Sequence, residues 1–218
     1  MPIRRSRRVS CDIRTFTGSD AGGDDAHHNI LPSRPPDRER LMIVRSVRAG
    51  SWRKDLIMES RFDLIQHEVG RKLVKRLFAV NQLVEEGTLP KVLRELVSLR
   101  ASQINGCAPC VDIHTKEAAA AGETQLRLNL ITVWRETELF TDAERAALAL
   151  AEEGTRIADA ATGVSDETWA AVRRHYTDDQ IAALIILVGL ANAVNRMNVI
   201  TRAKGGNYDP SMIAALAN

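Results

Sequence analysis

The sequence has few cysteines and few aromatic side chains. Its 218 residues include 3 cysteines, and only 4% are aromatic. Three cysteines are too few for a disulfide-stapled scaffold, and they leave no second pair for a zinc site built from two Cys pairs. The net charge of +2 gives no electrostatic reason to expect nucleic acid as a partner. Alanine, leucine, arginine and glutamate abound instead, which favours helix.

Other familiar signatures are also absent from the sequence. No glycine-rich phosphate loop and no G-x-S-x-G nucleophile motif occurs. The longest apolar run, Ile181–Val194, has only fourteen residues and is followed at once by Asn195 and Arg196, so it is too short to span a bilayer. We therefore expect no cofactor, no bound metal and no membrane as a partner.

Charge divides the chain into two unlike parts. Residues 1–57 carry 12 basic and 7 acidic side chains, a net charge of +5, whereas residues 58–218 carry a net charge of −3. Four of the seven prolines fall within the first forty residues, where no apolar periodicity occurs. We predict a disordered or poorly structured extension over 1–57. An alternative interpretation is upstream sequence translated from a misplaced start, with Met42 or Met58 as the start.

The remainder, 58–218, has helical periodicity and no alternating strand pattern, so we predict one all-α domain. An apolar stripe runs through 61–86, and Thr141 and Thr177 each open a capping box. The longest helix should be buried on most faces, in the core or in an oligomer interface. The predicted helices cover 61–86, 91–103, 108–121, 123–135, 142–160, 165–176 and 181–202.

The informative motif is Cys107-Ala-Pro-Cys110, which follows Gly106 at the start of a predicted helix. A helix N-terminus offers unpaired N–H groups and the positive end of the helix dipole, and both favour a thiolate. In such a pair one thiolate attacks, and its neighbour can resolve the product into an intramolecular disulfide.

Two further side chains complete a candidate site. His114 lies four residues after Cys110 and on the same helix face, where it can exchange a proton with a thiol. Glu95 lies on the preceding helix and could orient His114, directly or through a water, if the two helices pack antiparallel. Taken alone, Glu95 is better explained as a solvated helix residue or as one in a salt bridge with Arg94 or Arg100. The cysteine pair itself could instead be half of a zinc site or two inert buried side chains.

These four residues, with their flanking sequences Leu93–Gly106 and Val111–Ala118, resemble the alkylhydroperoxidase (AhpD)-like branch of the carboxymuconolactone decarboxylase family. Residues 140–149 and 195–199 are also similar to the family pattern. The resemblance implies an all-helical fold, assembled as a homo-oligomer such as a trimer or hexamer.

The resemblance also implies a thiol peroxidase whose substrate is a hydroperoxide and whose reductant is an external dithiol or thiol protein. Cys110 would be peroxidatic, Cys107 resolving, and His114 and Glu95 the proton relay. The best-studied members have a histidine where this chain has Pro109, so the full relay of those members is incomplete here.

Two alternatives stay open at this point. The pair could act as a slow redox sensor whose output is the oligomeric state, or the domain could be an inactive scaffold. Because the thiols would need continual reduction, and because no signal peptide or membrane span is predicted, we expect a cytoplasmic protein.

Overall fold

The computed structural model describes residues 59–210. This part of the chain contains no β-strand, which confirms the all-α prediction. Two short 3-10 segments, Leu64–Gln66 and Ile131–Glu136, accompany the α-helices. The seven α-helices are α1 (Glu68–Glu85), α2 (Lys91–Asn105), α3 (Ala108–Ala120), α4 (Gln125–Leu130), α5 (Asp142–Thr155), α6 (Asp166–His175) and α7 (Asp178–Thr201). The predicted N-terminal extension, 1–57, lies outside the described residues.

Both predicted capping boxes are present. The side chains of Thr141 and Thr177 each accept a hydrogen bond from the backbone N–H of the third helical residue, whose side chain in turn accepts the backbone N–H of the threonine. Gly106 ends α2 in the left-handed conformation, with φ 68°, and α3 begins two residues later. This φ favours glycine, so Gly106 is the sequence signal for the reversal that brings α3 back against α2.

Three predicted helices are shorter than the sequence pattern suggested. The 61–86 stripe begins as a 3-10 turn and becomes α-helical only at Glu68. The helix predicted over 123–135 leaves α geometry after Leu130, and its backbone kinks at Val133, with Ile131 and Trp134 buried on either side of the kink. The helix predicted to reach 160 stops at Thr155.

Helix α2 is central, because it contributes to both hydrophobic clusters. One of its faces places Leu93 and Val97 among side chains of α5, α6 and α7. Its other face places Leu96 and Leu99 against α3, α4 and the segment around Trp134. Burying one helix from two sides fixes the start of α3 relative to α5 and α7, and this arrangement positions the site.

Helices α1 and α7 both carry apolar side chains that the rest of residues 59–210 leaves exposed. The apolar stripe of α1 is exposed in the single chain, with side chains 39–71% accessible at Val69, Leu73, Val80 and Leu83. Helix α7 is long and apolar enough to cross a membrane by length and composition alone, a test that core helices also pass. It buries Leu184 against the core but leaves Ile200 exposed.

Candidate active site

The two cysteines occupy the first turn of α3. Cys107 is the N-cap residue, and its N–H donates to the Ser102 carbonyl at 3.0 Å. Pro109 falls in the first turn, where no N–H is needed, and Cys110 is the third helical residue. The cysteines form a disulfide with a Cα–Cα distance of 5.4 Å, and both are at least 98% buried. The structure therefore joins the predicted pair covalently and shields it.

His114 and Glu95 are brought into direct contact between α3 and α2. His114 Nδ1 lies 2.8 Å from Glu95 Oε2, without an intervening water. The two arginines that could have paired with Glu95 have other partners, since Arg94 donates to the Leu89 carbonyl and Arg100 binds Glu152. A carboxylate can only accept, so His114 donates from Nδ1, and in its neutral form its Nε2 is the basic nitrogen.

A second carboxylate, Glu117, lies one helical turn beyond His114. Lys91 Nζ binds Glu117 Oε2 at 2.7 Å, and the Tyr208 hydroxyl donates to Oε1. Burial opposes ionisation of Glu117, yet the bonds from Lys91 and Tyr208, and the charges of Lys91 and His114, together hold the pKa of Glu117 below its usual value. Burial and the bond to Glu117 raise the pKa of Tyr208. Glu117 is therefore an ionised neighbour of the Glu95–His114 pair.

Residues 205–208, which we call the C-terminal strap, lie against α3. Asp112 Oδ2 accepts the N–H groups of Gly206 at 2.7 Å and Tyr208 at 3.0 Å, and Lys116 donates to the Tyr208 carbonyl at 2.7 Å. A Cβ on Gly205 would lie 2.5 Å from the Ala108 carbonyl oxygen. Only glycine permits this approach, so the sequence signal for the strap is the Gly205-Gly206 pair, which spacing alone predicts as a simple terminal turn.

A surface depression of about 540 Å³ opens between the strap and the start of α3. Cys107 lines it, whereas Cys110 does not. The lining residues are Gln103, Gly106, Cys107, Ala108, Val111, Asp112, Gly205 and Gly206. A molecule entering from solvent would therefore meet the Cys107 side of the disulfide.

The end of α7 closes the other side of the pair. Asn198 Nδ2 donates to Cys110 Sγ at 3.3 Å. Asn105 on α2 donates to the side-chain oxygens of Asn192 and Asn195, at 3.0 and 2.9 Å. Sequence reasoning missed Asn198, Tyr208 and Glu117 as site residues. The asparagines at 192, 195 and 198 recur every three residues in an apolar helix, and this polar stripe was a usable signal.

Metal binding would require more ligands than the pair provides. Within 59–210, no group of three or more His, Cys, Asp or Glu side chains is arranged to hold a metal ion. A tetrahedral structural zinc site needs four such ligands.

Comparisons with known proteins agree with this architecture. Residues 68–153 match the carboxymuconolactone decarboxylase family. The chain is 32% identical over 133 residues to the uncharacterized protein YdfG of Bacillus subtilis (strain 168), covering 61% of this chain and 89% of YdfG. Among solved structures, an Agrobacterium tumefaciens protein of unknown function, provisionally assigned to antioxidant defence as AhpD, is 33% identical with a TM-score of 0.64. The match covers 69% of this chain and 100% of that one.

A more distant structure shows likeness of fold alone. It is an uncharacterized peroxidase-related protein from Ralstonia eutropha JMP134 with an alkylhydroperoxidase AhpD core. It is 19% identical with a TM-score of 0.57, and the match covers 78% of this chain and 85% of that one.

Proposed function

Because this chain belongs to the carboxymuconolactone decarboxylase family, in its AhpD-like branch, we propose that it is a thiol peroxidase that reduces hydroperoxides. One observation carries the proposal. The Cys107–Cys110 pair lies at the N-terminus of α3, and His114, one turn after Cys110 on the same helix, is bonded to Glu95 of α2. A redox-active sulfur pair and a positioned acid–base group are the two components that peroxide reduction by thiols requires.

The reaction begins with the reduced pair. His114 takes the proton of the Cys110 thiol, and the thiolate attacks one oxygen of ROOH, which breaks the O–O bond. Cys110 becomes a sulfenic acid, and the alkoxide leaves as ROH with the proton returned by His114. The Cys107 thiol then attacks Cys110 Sγ and its proton passes to the departing hydroxyl, which releases water and forms the disulfide. Glu95 holds the His114 tautomer that makes these proton transfers possible.

Reduction of the disulfide requires an external dithiol or a thiol protein. Cys107, and not Cys110, lines the depression beside the strap, so we propose that the reductant attacks Cys107 Sγ from there and that Cys110 leaves as the thiolate. The second reductant sulfur then displaces Cys107 and closes the reductant's own disulfide. Such recycling suits a cytoplasmic setting, where thiol reductants are maintained.

Assembly into a homo-oligomer, such as a trimer or hexamer, belongs to the same proposal. The exposed apolar stripe of α1 supports it, because each buried Val or Leu side chain would contribute about 1.5–3 kcal/mol to association. Pro109 replaces the histidine of the best-studied members, so His114 acts here as the only histidine of the relay.

The test is hydroperoxide consumption by the full chain with a panel of small dithiols. We expect catalytic turnover in the wild type and none in Cys110→Ser. Cys107→Ser should consume about one equivalent of peroxide and retain a sulfenic acid that a dimedone probe traps. Wild-type turnover by Cys110→Ser would refute the proposed mechanism.

A redox sensor is the second candidate, and the burial of both sulfurs favours it. Stopped-flow kinetics separate the two functions. Slow oxidation without turnover under every dithiol, together with a changed oligomer mass, would identify the sensor.

A further inference from the structure

The sulfur atoms of the pair have unequal surroundings. Cys110 Sγ receives a hydrogen bond from Asn198 Nδ2 at 3.3 Å, across the contact between α3 and α7. Among the side-chain hydrogen bonds within residues 59–210, none ends on Cys107 Sγ. One sulfur thus has a neutral amide donor from a second helix, and the other does not.

The position of Asn198 is fixed by its surroundings. The backbone carbonyl of Asn198 accepts the Ala203 N–H at 2.9 Å and the Thr201 hydroxyl at 3.2 Å, and these bonds close the end of α7. Three residues earlier in α7, Asn195 Nδ2 donates to Ser102 Oγ at 3.1 Å. The carbonyl of the same Ser102 accepts the Cys107 N–H, so the register of α7 is tied to the start of the cysteine helix.

The chemistry of an amide suits this position. An amide N–H donates a hydrogen bond but does not lose its proton at neutral pH, so Asn198 can stabilise charge without competing with His114 as a base. A bond to a neutral disulfide sulfur is weak, and the same bond strengthens when the acceptor carries charge. The donor therefore favours Cys110 in its thiolate form.

We propose that Asn198 is a catalytic residue, whose side-chain amide stabilises the Cys110 thiolate and makes Cys110, rather than Cys107, the attacking sulfur. The inference rests on the proposed thiol chemistry of this site. It applies to two steps, because the Cys110 thiolate is the nucleophile toward peroxide and the leaving group when a dithiol attacks Cys107. A better stabilised thiolate leaves faster.

The experiment titrates Cys110 by its thiolate ultraviolet absorbance, in the full chain carrying Cys11→Ser and Cys107→Ser so that one thiol remains. Asn198→Leu removes the donor, and Asn198→Asp replaces it with a negative acceptor of the same shape. We expect the ionisation midpoint to rise by about one pH unit in Asn198→Leu, and further in Asn198→Asp. The same two substitutions at Asn129, exposed on α4, should leave the midpoint unchanged.

A second measurement needs no change at Asn198. In the chain with Cys110 as its single thiol, the side-chain amide resonances of Asn198 should shift with the same midpoint as the thiolate absorbance. Equal midpoints in the Asn198 and Asn129 variants, or amide resonances that do not follow the titration, would overturn the assignment.

Neither measurement uses peroxide. A shifted midpoint in a chain that consumes no hydroperoxide would therefore support the Asn198 assignment and refute the peroxidase. Turnover with an unshifted midpoint would support the peroxidase and refute the assignment.

Discussion

The cysteine helix α3 and the first helix α1 differ in whether their side chains have partners or cover within the same chain. On α3, Asp112, His114 and Glu117 each have a bonded partner from another element of the same chain. On α1, by contrast, the apolar stripe is exposed. One chain therefore suffices to assemble the candidate chemistry, whereas the apolar stripe of α1 is left uncovered by the rest of residues 59–210.

The largest expected effect separates these two regions. Leu73→Glu, at the centre of the stripe, should convert the oligomer to monomers, because a charge would be buried without a partner. Light scattering measures the mass, and thiolate absorbance checks that the Cys110 midpoint is unchanged. Lys75→Glu, on the exposed polar side of α1, is the matched control and should leave the mass unaltered. A wild-type chain that is already monomeric would contradict this assignment of α1.

Within the cysteine region, Glu95→Gln should lower kcat/KM by about 100-fold with little change in stability. The amide keeps the shape of Glu95 but no longer holds the charge of protonated His114. If Glu95 acts through His114, the pH profile of kcat/KM should shift as well as fall, which loss of packing alone would not produce. Glu136→Gln, at an exposed site, should behave as wild type. An unshifted profile would assign Glu95 a structural role.

The strap offers a smaller effect on access to the disulfide. Gly205→Ala places a methyl group against the Ala108 carbonyl and should weaken strap closure by about 1–2 kcal/mol. That is roughly a 5- to 30-fold larger open population, measured as faster disulfide reduction by a phosphine. Gly189→Ala, where no atom lies within 4 Å of the added carbon, is the control. Equal reduction rates would show that the strap does not limit access.

Local signals in the sequence predicted the fold well, because caps and helical periodicity act over a few residues. Thr141, Thr177 and Gly106 mark helix boundaries that the structure confirms. The contact of Glu95 with His114 was foreseeable once an antiparallel turn was assumed at Gly106. The spacing of the α7 asparagines marks a polar stripe, but it does not show that Asn198 contacts Cys110, and nothing in the spacing indicates Tyr208, because each reaches α3 from about ninety residues away. The exposure of the α1 stripe was also hidden, since periodicity reports an apolar face but not what covers it.

The smallest expected effect concerns how α3 holds the strap in acid. The bond from Lys116, and then the backbone N–H groups of Tyr208 and Gly206, hold the pKa of Asp112 below its usual value. A carboxylate whose pKa is lowered by folding stabilises the folded state at pH values above the pKa that it has in the unfolded chain. This contribution is lost as the pH falls through the lower pKa that it has in the folded chain. Asp112→Asn should therefore cost about 1 kcal/mol at neutral pH.

In acid, the difference in unfolding free energy between the wild type and Asp112→Asn should shrink. Urea unfolding at neutral pH and at about pH 3 should show a larger loss of unfolding free energy in the wild type than in Asp112→Asn, because the variant has no carboxylate to protonate there. Asp159→Asn, at an exposed position, should lose as much as the wild type. If Asp112→Asn lost as much too, ionised Asp112 would not be what holds the strap. The α3 region would then be less completely satisfied within one chain than its contacts indicate.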